Sequence, residues 1–171
     1  MRRRAAAVVN ASPLIFLAKL SKLDALGVYD PLLTTPLVIA EVEVGSAKGY
    51  REALAVRGIV SRRVLEVREA PPLNLPPPVL DAGEQSVISL ATKVARATAV
   101  IDDLAAIRAA KHLGVRVRST PFVLLDNLAS GRIDLEEFRS LLDRLLAMDY
   151  RISPSLFMEL VELGDAAAAR Q

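Results

Sequence analysis

Thr98-Ala-Val-Ile-Asp-Asp-Leu-Ala-Ala-Ile-Arg-Ala-Ala-Lys-His-Leu-Gly-Val-Arg-Val117 has the pattern strand, acid pair, helix, strand. Thr98 to Ile101 are apolar or β-branched, Asp102 and Asp103 follow, and an alanine-rich helical run closes on Gly114 before a second short strand. In a parallel strand-helix-strand unit, whatever follows a strand lies at the carboxyl edge of the sheet, where open α/β folds keep their ligand sites. Asp is also a favoured N-cap at the positive end of a helix dipole, which accounts for one carboxylate but not for two. With Asp103 at 0° and about 100° per residue, Ala106, Ile107, Ala110 and Leu113 fall within about 80° of it. Asp103 is therefore expected on the apolar face, with Lys111 at its edge and Arg108 and His112 on the outer side.

The chain has 171 residues, enough to bury a core of its own. One domain is expected over 1–150, with 151–171 a C-terminal helix and tail packed on it or extending it. Cysteine is absent, which excludes disulfides and thiolate metal sites and fits a reducing, cytoplasmic compartment. His112 is the only histidine and falls on a polar helix face, so no Ser-His-Asp or histidine-rich metal site can be built. There is no glycine-rich phosphate loop and no internal repeat. The arginine excess over lysine and the scarcity of Asn and Gln match a thermophile composition. Net charge is +2, but Arg2 to Arg4, Arg62 with Arg63, and Arg108 through Arg118 are clustered; such clusters attract a polyanion or simply face water. Arg2-Arg3-Arg4 before the apolar run Ala5 to Ala18 imitates a secretion signal, yet Asn10, Ser12 and Pro13 interrupt it. No run reaches the ~18 apolar residues of a spanning helix, and no membrane association is expected.

Along the chain, Ala5 to Val9 is a buried strand and Ser12-Pro13 a cap followed by proline at the first helical position, predicting a helix from Pro13 to about Leu26. Asn10 ends the strand, where its side chain either points into the same carboxyl edge as the acid pair or bonds its own backbone in a turn. Thr35-Pro36 repeats the cap-proline start after the apolar segment Pro31 to Leu33. In that second helix Glu41 is expected to face inward and Glu43 to face water. Gly49 to Arg57 is predicted helical and exposed, Ile59 to Val67 a strand or hairpin arm, and Pro71 to Pro78 a linker inside the fold. Asp81 and Glu84 have capping-box spacing and open a helix to about Arg96; Glu84 also lies on its buried stripe, so cap and site remain alternatives. A helix from Ser119-Thr-Pro121 to near Gly131, one capped by Asp134 to about Met148, and a last one opened by Pro154 complete the chain. Leu141, Leu142, Leu145 and Leu146 form an apolar stripe suited to a core or a dimer surface.

If the strands are parallel, Glu41, Glu84, Asp102 and Asp103 converge on one edge. Clustered carboxylates need raised pKa values or a divalent cation, and oxygen ligands without His or Cys favour Mg²⁺ or Mn²⁺. Such an ion is the machinery of phosphodiester hydrolysis, and nearby arginines would hold the nucleic acid backbone.

With these residues laid out, the chain resembles the PIN-domain family and, within it, the small prokaryotic VapC-like toxin ribonucleases. The resemblance rests on Val8-Val-Asn-Ala-Ser-Pro-Leu-Ile-Phe-Leu-Ala18, on Pro36 to Glu41, on Leu80-Asp-Ala-Gly-Glu-Gln-Ser-Val-Ile-Ser-Leu-Ala91, and on Val100-Ile-Asp-Asp103 with Ala106 and Arg108 following. Gly114-Val and Ser119-Thr-Pro-Phe-Val-Leu-Leu-Asp-Asn-Leu-Ala-Ser-Gly-Arg-Ile133 complete it. It implies a three-layer α/β/α fold with a central parallel sheet of about five strands, and metal-dependent cleavage of RNA with Mg²⁺ or Mn²⁺. The family's first acid would fall on Asn10, the second on Glu41, the third on Glu84 and the last on Asp102 or Asp103; Ser12 matches the hydroxyl residue after the first acid. Ser12, Arg108 and Lys111 would meet the substrate, an antitoxin protein would restrain the enzyme, and a homodimer is expected. Asn10 stands where the commonest pattern has Asp, which removes one negative charge and weakens ion binding. Ile107 stands where an arginine is expected. A catalytically inactive PIN scaffold that binds RNA or a protein is the alternative. A phospho-acceptor receiver domain would want an acid pair after the first strand and a late lysine, where this chain has Asn10 and Arg118-Ser119.

Overall fold

The computed structural model describes residues 4–47, 49–73 and 80–170. These fall into two compact units, Met1–Ser119 and Thr120–Gln171. The predicted linker Pro71 to Pro78 lies largely outside the described residues.

The first unit is built on a five-stranded, wholly parallel sheet in the order β3-β2-β1-β4-β5. The strands are β1 (Ala7–Val9), β2 (Leu32–Thr34), β3 (Glu66–Val67), β4 (Thr98–Val100) and β5 (Arg116–Arg118). Every residue of the three inner strands is buried, as expected of a sheet covered on both faces. The two edge strands carry Glu66, Arg116 and Arg118, charges that discourage pairing with another chain.

Five helices connect these strands: α1 (Ala11–Lys19), α2 (Pro36–Ala47), α3 (Arg51–Ser61), α4 (Ala82–Lys93) and α5 (Leu104–His112). The chain steps outward from β1 through β2 to β3, then returns to β4 on the other side of β1 and steps outward again. Right-handed crossovers therefore place α1, α2 and α3 on one face and α4 and α5 on the other. The packing agrees, with α1, α2 and α3 in mutual contact and α4 against α5. Strand order reverses between β1 and β4, and the carboxyl ends of these two strands border the crevice such a reversal leaves.

Several boundaries differ from those the sequence predicts. Helix α1 begins two residues before Pro13, with Asn10 rather than Ser12 at the N-cap, and ends at Lys19; a separate 3-10 turn follows at Leu23–Val28. Ser12 does not cap because the helix already begins at Ala11, which puts Ser12 inside the first turn. The span Gly49 to Arg57 is not an exposed helix: α3 continues to Ser61 and buries Ala53, Val56 and Ile59, which recur every third residue. Only Glu66–Val67 of the predicted strand survives. Helix α4 stops at Lys93, with Val94 extended and Arg96 at a positive φ of 57°.

The second unit contains α6 (Thr120–Ala129), α7 (Leu135–Ala147) and α8 (Pro154–Ala168), which pack on one another. Asp134 caps α7 as predicted and Pro154 opens α8 as predicted, with Ser153 as its cap; Asp134 and Ser153 accept from the Glu137 and Leu156 amides. Leu141, Leu142 and Leu145 are buried, while Leu146 falls outside the stripe and is exposed. The run Ala166 to Ala168 belongs to α8 rather than to a loose tail.

At Gly164 of α8 a Cβ would stand 2.7 Å from Cε1 of the fully buried Phe138 ring. The absence of a side chain lets α8 lie directly on that ring. Gly164→Ala should overpack this contact and lower stability by about 1–3 kcal/mol, read as a drop in the urea midpoint; an unchanged midpoint would mean that the ring yields.

Candidate active site at the carboxyl edge of the sheet

Asn10 follows β1 and is held there by its backbone amide, which donates to the Val100 carbonyl at 3.0 Å and so extends the β1–β4 pairing. Its side chain does no turn or capping work: the N-cap bond is missing, and Oδ1, on a residue only 5% exposed, has no hydrogen-bond partner. An unpaired buried oxygen of this kind costs about 1–3 kcal/mol.

Two residues on, the Ser12 hydroxyl donates to Asp102 Oδ2 at 3.2 Å, joining the first turn of α1 to the residue pair after β4. Asp102 thus faces Ser12 across the β1–β4 crevice. Asp103 does not lie on the apolar face of α5. It precedes the helix in an extended conformation, is exposed, and caps it, its Oδ1 accepting from the Ala106 amide at 2.9 Å. The helical-wheel position fails because the helix starts only at Leu104, although Ala106 and Ala110 are buried as expected.

Glu84 lies in the first turn of α4 and forms the predicted capping box. Its amide donates to Asp81 Oδ1 at 2.7 Å, and its Oε2 accepts from the Asp81 amide at 3.1 Å. The residue is 9% exposed, and its pKa is pushed up to about 7. Burial is the main cause; the hydrogen bond from the Asp81 backbone opposes it, and the negative charges of Asp81, Asp103 and Glu41 add to it. Cap and site are therefore not exclusive at this residue.

Helix α2 is tied to α4 through a buried contact of 2.6 Å between Thr35 Oγ1 and Ser86 Oγ. Ser86 already donates its one proton to the Gly83 carbonyl at 2.7 Å, so Thr35 is the donor. From α2, Glu41 extends to the first turn of α4. It is exposed as a residue rather than inward-facing as predicted, yet loss of hydration at its carboxylate, followed by the charge of Asp81, raises its pKa. Glu43 faces water, 3.8 Å from Arg57.

The convergence is sharpest around Gly83. A Cβ there would lie 3.0 Å from Glu41 Oε2, 3.3 Å from Asp81 Oδ1 and 3.6 Å from Asn10 Oδ1. Three oxygens from three elements thus surround a space that only glycine leaves open. Sequence reasoning passes over Asp81 and Gly83, because the capping box explains Asp81 completely and a glycine inside a helix has no chemistry of its own. The signal that could have found them is the glycine placed between the two acids of the box, where a helix former would ordinarily be preferred.

Arg108 and Lys111 are exposed on α5, and among the described residues neither forms an ion pair with the acids. Among the described residues, too, no three side chains of His, Cys, Asp or Glu already close on one point as a metal-ligand set. The convergent oxygens include an amide, and Glu84 is partly engaged by its box. The oxygen-only donor set and the orphaned Asn10 Oδ1 nevertheless fit a hard divalent cation.

The sign of the pH effect follows from the direction of the Glu84 shift. A carboxyl whose pKa rises from 4.5 to about 7 on folding contributes stability that is complete below the lower value and lost as pH climbs through the upper one. Without divalent ions, the melting temperature should fall between about pH 4.5 and pH 7 more steeply in the native protein than in Glu84→Gln. Parallel curves from differential scanning calorimetry would contradict this.

The chain matches the family model DUF3368, described as a PIN domain, over residues 6–165. No curated protein matches. Among solved structures, a PilT N-terminus domain protein from the hyperthermophilic archaeon Sulfolobus solfataricus P2 is similar at 25% identity and a TM-score of 0.49, the match covering 72% of this chain and 93% of that one. No helix among the described residues is long and apolar enough to cross a membrane. The family model spans nearly the whole chain, and this protein therefore belongs to the PIN-domain family, a fold of nuclease type.

Proposed function

We propose that this protein is a metal-dependent endoribonuclease of the PIN type. The observation that carries the reading is the partnerless Asn10 Oδ1 facing Glu41 and Asp81 across the space at Gly83. A buried oxygen without a partner, set beside two carboxylates, favours a positive charge that offsets its desolvation and their repulsion.

Asn10, Glu41, Glu84 and Asp102 are the residues that would hold Mg²⁺ or Mn²⁺, with Asp103 close enough to add its charge. An ion held by these residues would supply Lewis-acid chemistry, lowering the pKa of a bound water and offsetting charge on a phosphate. The raised pKa of Glu84 in the metal-free protein means that ion binding there would release a proton near neutral pH. Ser12 orients Asp102, and the exposed Arg108 and Lys111 on α5 supply positive charge for RNA phosphates. Asn10 contributes an oxygen without a charge, so ion affinity is lower than an aspartate would give. The VapC-like reading adds a restraining antitoxin and a homodimer, tested by co-purification and sedimentation.

A non-catalytic scaffold is the second reading. It is favoured by Glu84 and Asp103 already serving as helix caps, and its mark is RNA binding that a chelator leaves unchanged.

Purified protein should cut RNA with Mn²⁺ or Mg²⁺ and stop in EDTA. Glu84→Gln should abolish cleavage, and Asn10→Asp should raise it roughly tenfold, the scale of one charge-assisted contact. If neither ion supports cleavage and Asn10→Asp changes nothing, the nuclease reading is wrong.

Gly83→Ala separates site from scaffold. Alanine is favoured over glycine inside a helix by roughly 0.5–1 kcal/mol, so the variant should melt no lower than the native protein. Its methyl group would crowd Glu41, and displacement of a ligand by a fraction of an ångström should reduce cleavage by about tenfold or more. Full activity in Gly83→Ala would remove that space from the site.

A further inference from the structure

A cavity of about 490 Å³ opens beside the acid cluster, against α1, α2 and the start of α3, and Glu41 belongs to both. Ile15, Val42 and Ala53 form its apolar floor, and Lys19, Tyr50 and Glu52 stand at its rim. The Tyr50 residue is 55% exposed. Among the described residues the side chains of Lys19, Tyr50 and Glu52 make no hydrogen bond or ion pair, and the Lys19 amino group rests 5.7 Å from the centroid of the Phe16 ring. An aromatic ring, an ammonium and a carboxylate are thus all available at the mouth of one apolar slot.

An exposed ring that lines a cavity with apolar side chains offers a stacking platform for a nucleobase, since every base has an aromatic face. The two rim charges distinguish among bases. Guanine alone presents, side by side, an oxygen acceptor at O6 and two donors at N1 and N2. A carboxylate can accept both donor protons while an ammonium donates to O6. Adenine and cytosine offer a carboxylate one amino group with an unprotonated ring nitrogen beside it, and uracil offers a single donor between two acceptors.

We propose that this cavity is a guanine pocket, with Tyr50 stacking on the base, Glu52 accepting from N1 and N2, and Lys19 donating to O6. Shared through Glu41, the pocket sets which nucleotide of an RNA strand lies beside the bond to be cut. This role in cleavage rests on the ribonuclease reading; the base binding itself does not.

The test has two arms. In EDTA, the 5′-monophosphates of guanosine, inosine, adenosine, cytidine and uridine are titrated into isotope-labelled protein and followed by amide NMR. The phosphate is common to all five, so differences report the base. Guanosine monophosphate should bind at least about tenfold more tightly than the adenosine, cytidine and uridine forms, the scale of one bidentate base contact. Inosine, which lacks the N2 amino group, should fall between. Glu52→Gln should erase the preference without lowering the melting temperature, and Tyr50→Ala should weaken all five. In the second arm, with Mn²⁺, cuts in an RNA of mixed sequence should cluster beside guanines in the native protein and spread in Glu52→Gln. Equal binding of the nucleotides, or no binding, overturns the pocket, and in that case a protein segment becomes the better occupant of the slot. Cleavage with no base preference overturns the pocket's role in choosing the cut and leaves the nuclease standing. Guanine-selective binding without cleavage keeps the pocket and removes the nuclease.

Discussion

The 3.0 Å hydrogen bond from the Asn10 amide to the Val100 carbonyl extends the central strand pair one residue beyond β1, and the rest of the carboxyl edge is arranged around it. Parallel pairing of β1 with β4 brings the residues after both strands to the same side of the sheet. The reversal of strand order between them sends α1 and α5 to opposite faces, leaving the crevice that Ser12 and Asp102 span. Were the two strands antiparallel, their following residues would lie at opposite edges, and no loop of ordinary length could reunite them.

The acids at this edge satisfy two demands that conflict in a metal-free protein. Helix N-termini stabilise nearby carboxylates through the dipole and the free amides, and Asp81, Glu84 and Asp103 all use them. Burial and mutual repulsion act the other way and prevail at Glu84, raising its pKa to about 7. The result is a local instability confined to a crevice, which a cation would relieve. Asn10 reduces that repulsion by carrying no charge, at the cost of an unsatisfied buried oxygen.

The acid edge and the neighbouring cavity share Glu41. That residue stands on the outer side of α2 with its carboxylate turned toward α4, so a single side chain links the place where a phosphate would react to the place where a base would rest. Arg116 and Arg118 lie on the edge strand β5, where charge discourages sheet extension.

Much of the fold was legible from local pattern. The strand starting at Thr98, the helix closing on Gly114, the cap at Asp134 and the capping box at Asp81 and Glu84 each depend on residues within a few positions of one another, and all appear as expected. Errors arose where contacts beyond the local pattern set an element's limits. Ser12 has the spacing of a cap but lies inside the first turn of α1, and Ile59 looks like the start of a strand until Ala53 and Val56 share its buried helix face.

Sequence by itself determined the parallel α/β class and the capping box that opens α4, because hydrophobic period and capping chemistry are short-range properties of the chain. Only the tertiary structure decided that Asp102 spans the crevice while Asp103 turns back to its own helix, that Asp81 and Gly83 come beside Glu41 and Asn10, and that Asn10 Oδ1 is left without a partner. Those outcomes depend on distances between residues tens of positions apart, which pairing of β1 with β4 sets and no local pattern encodes.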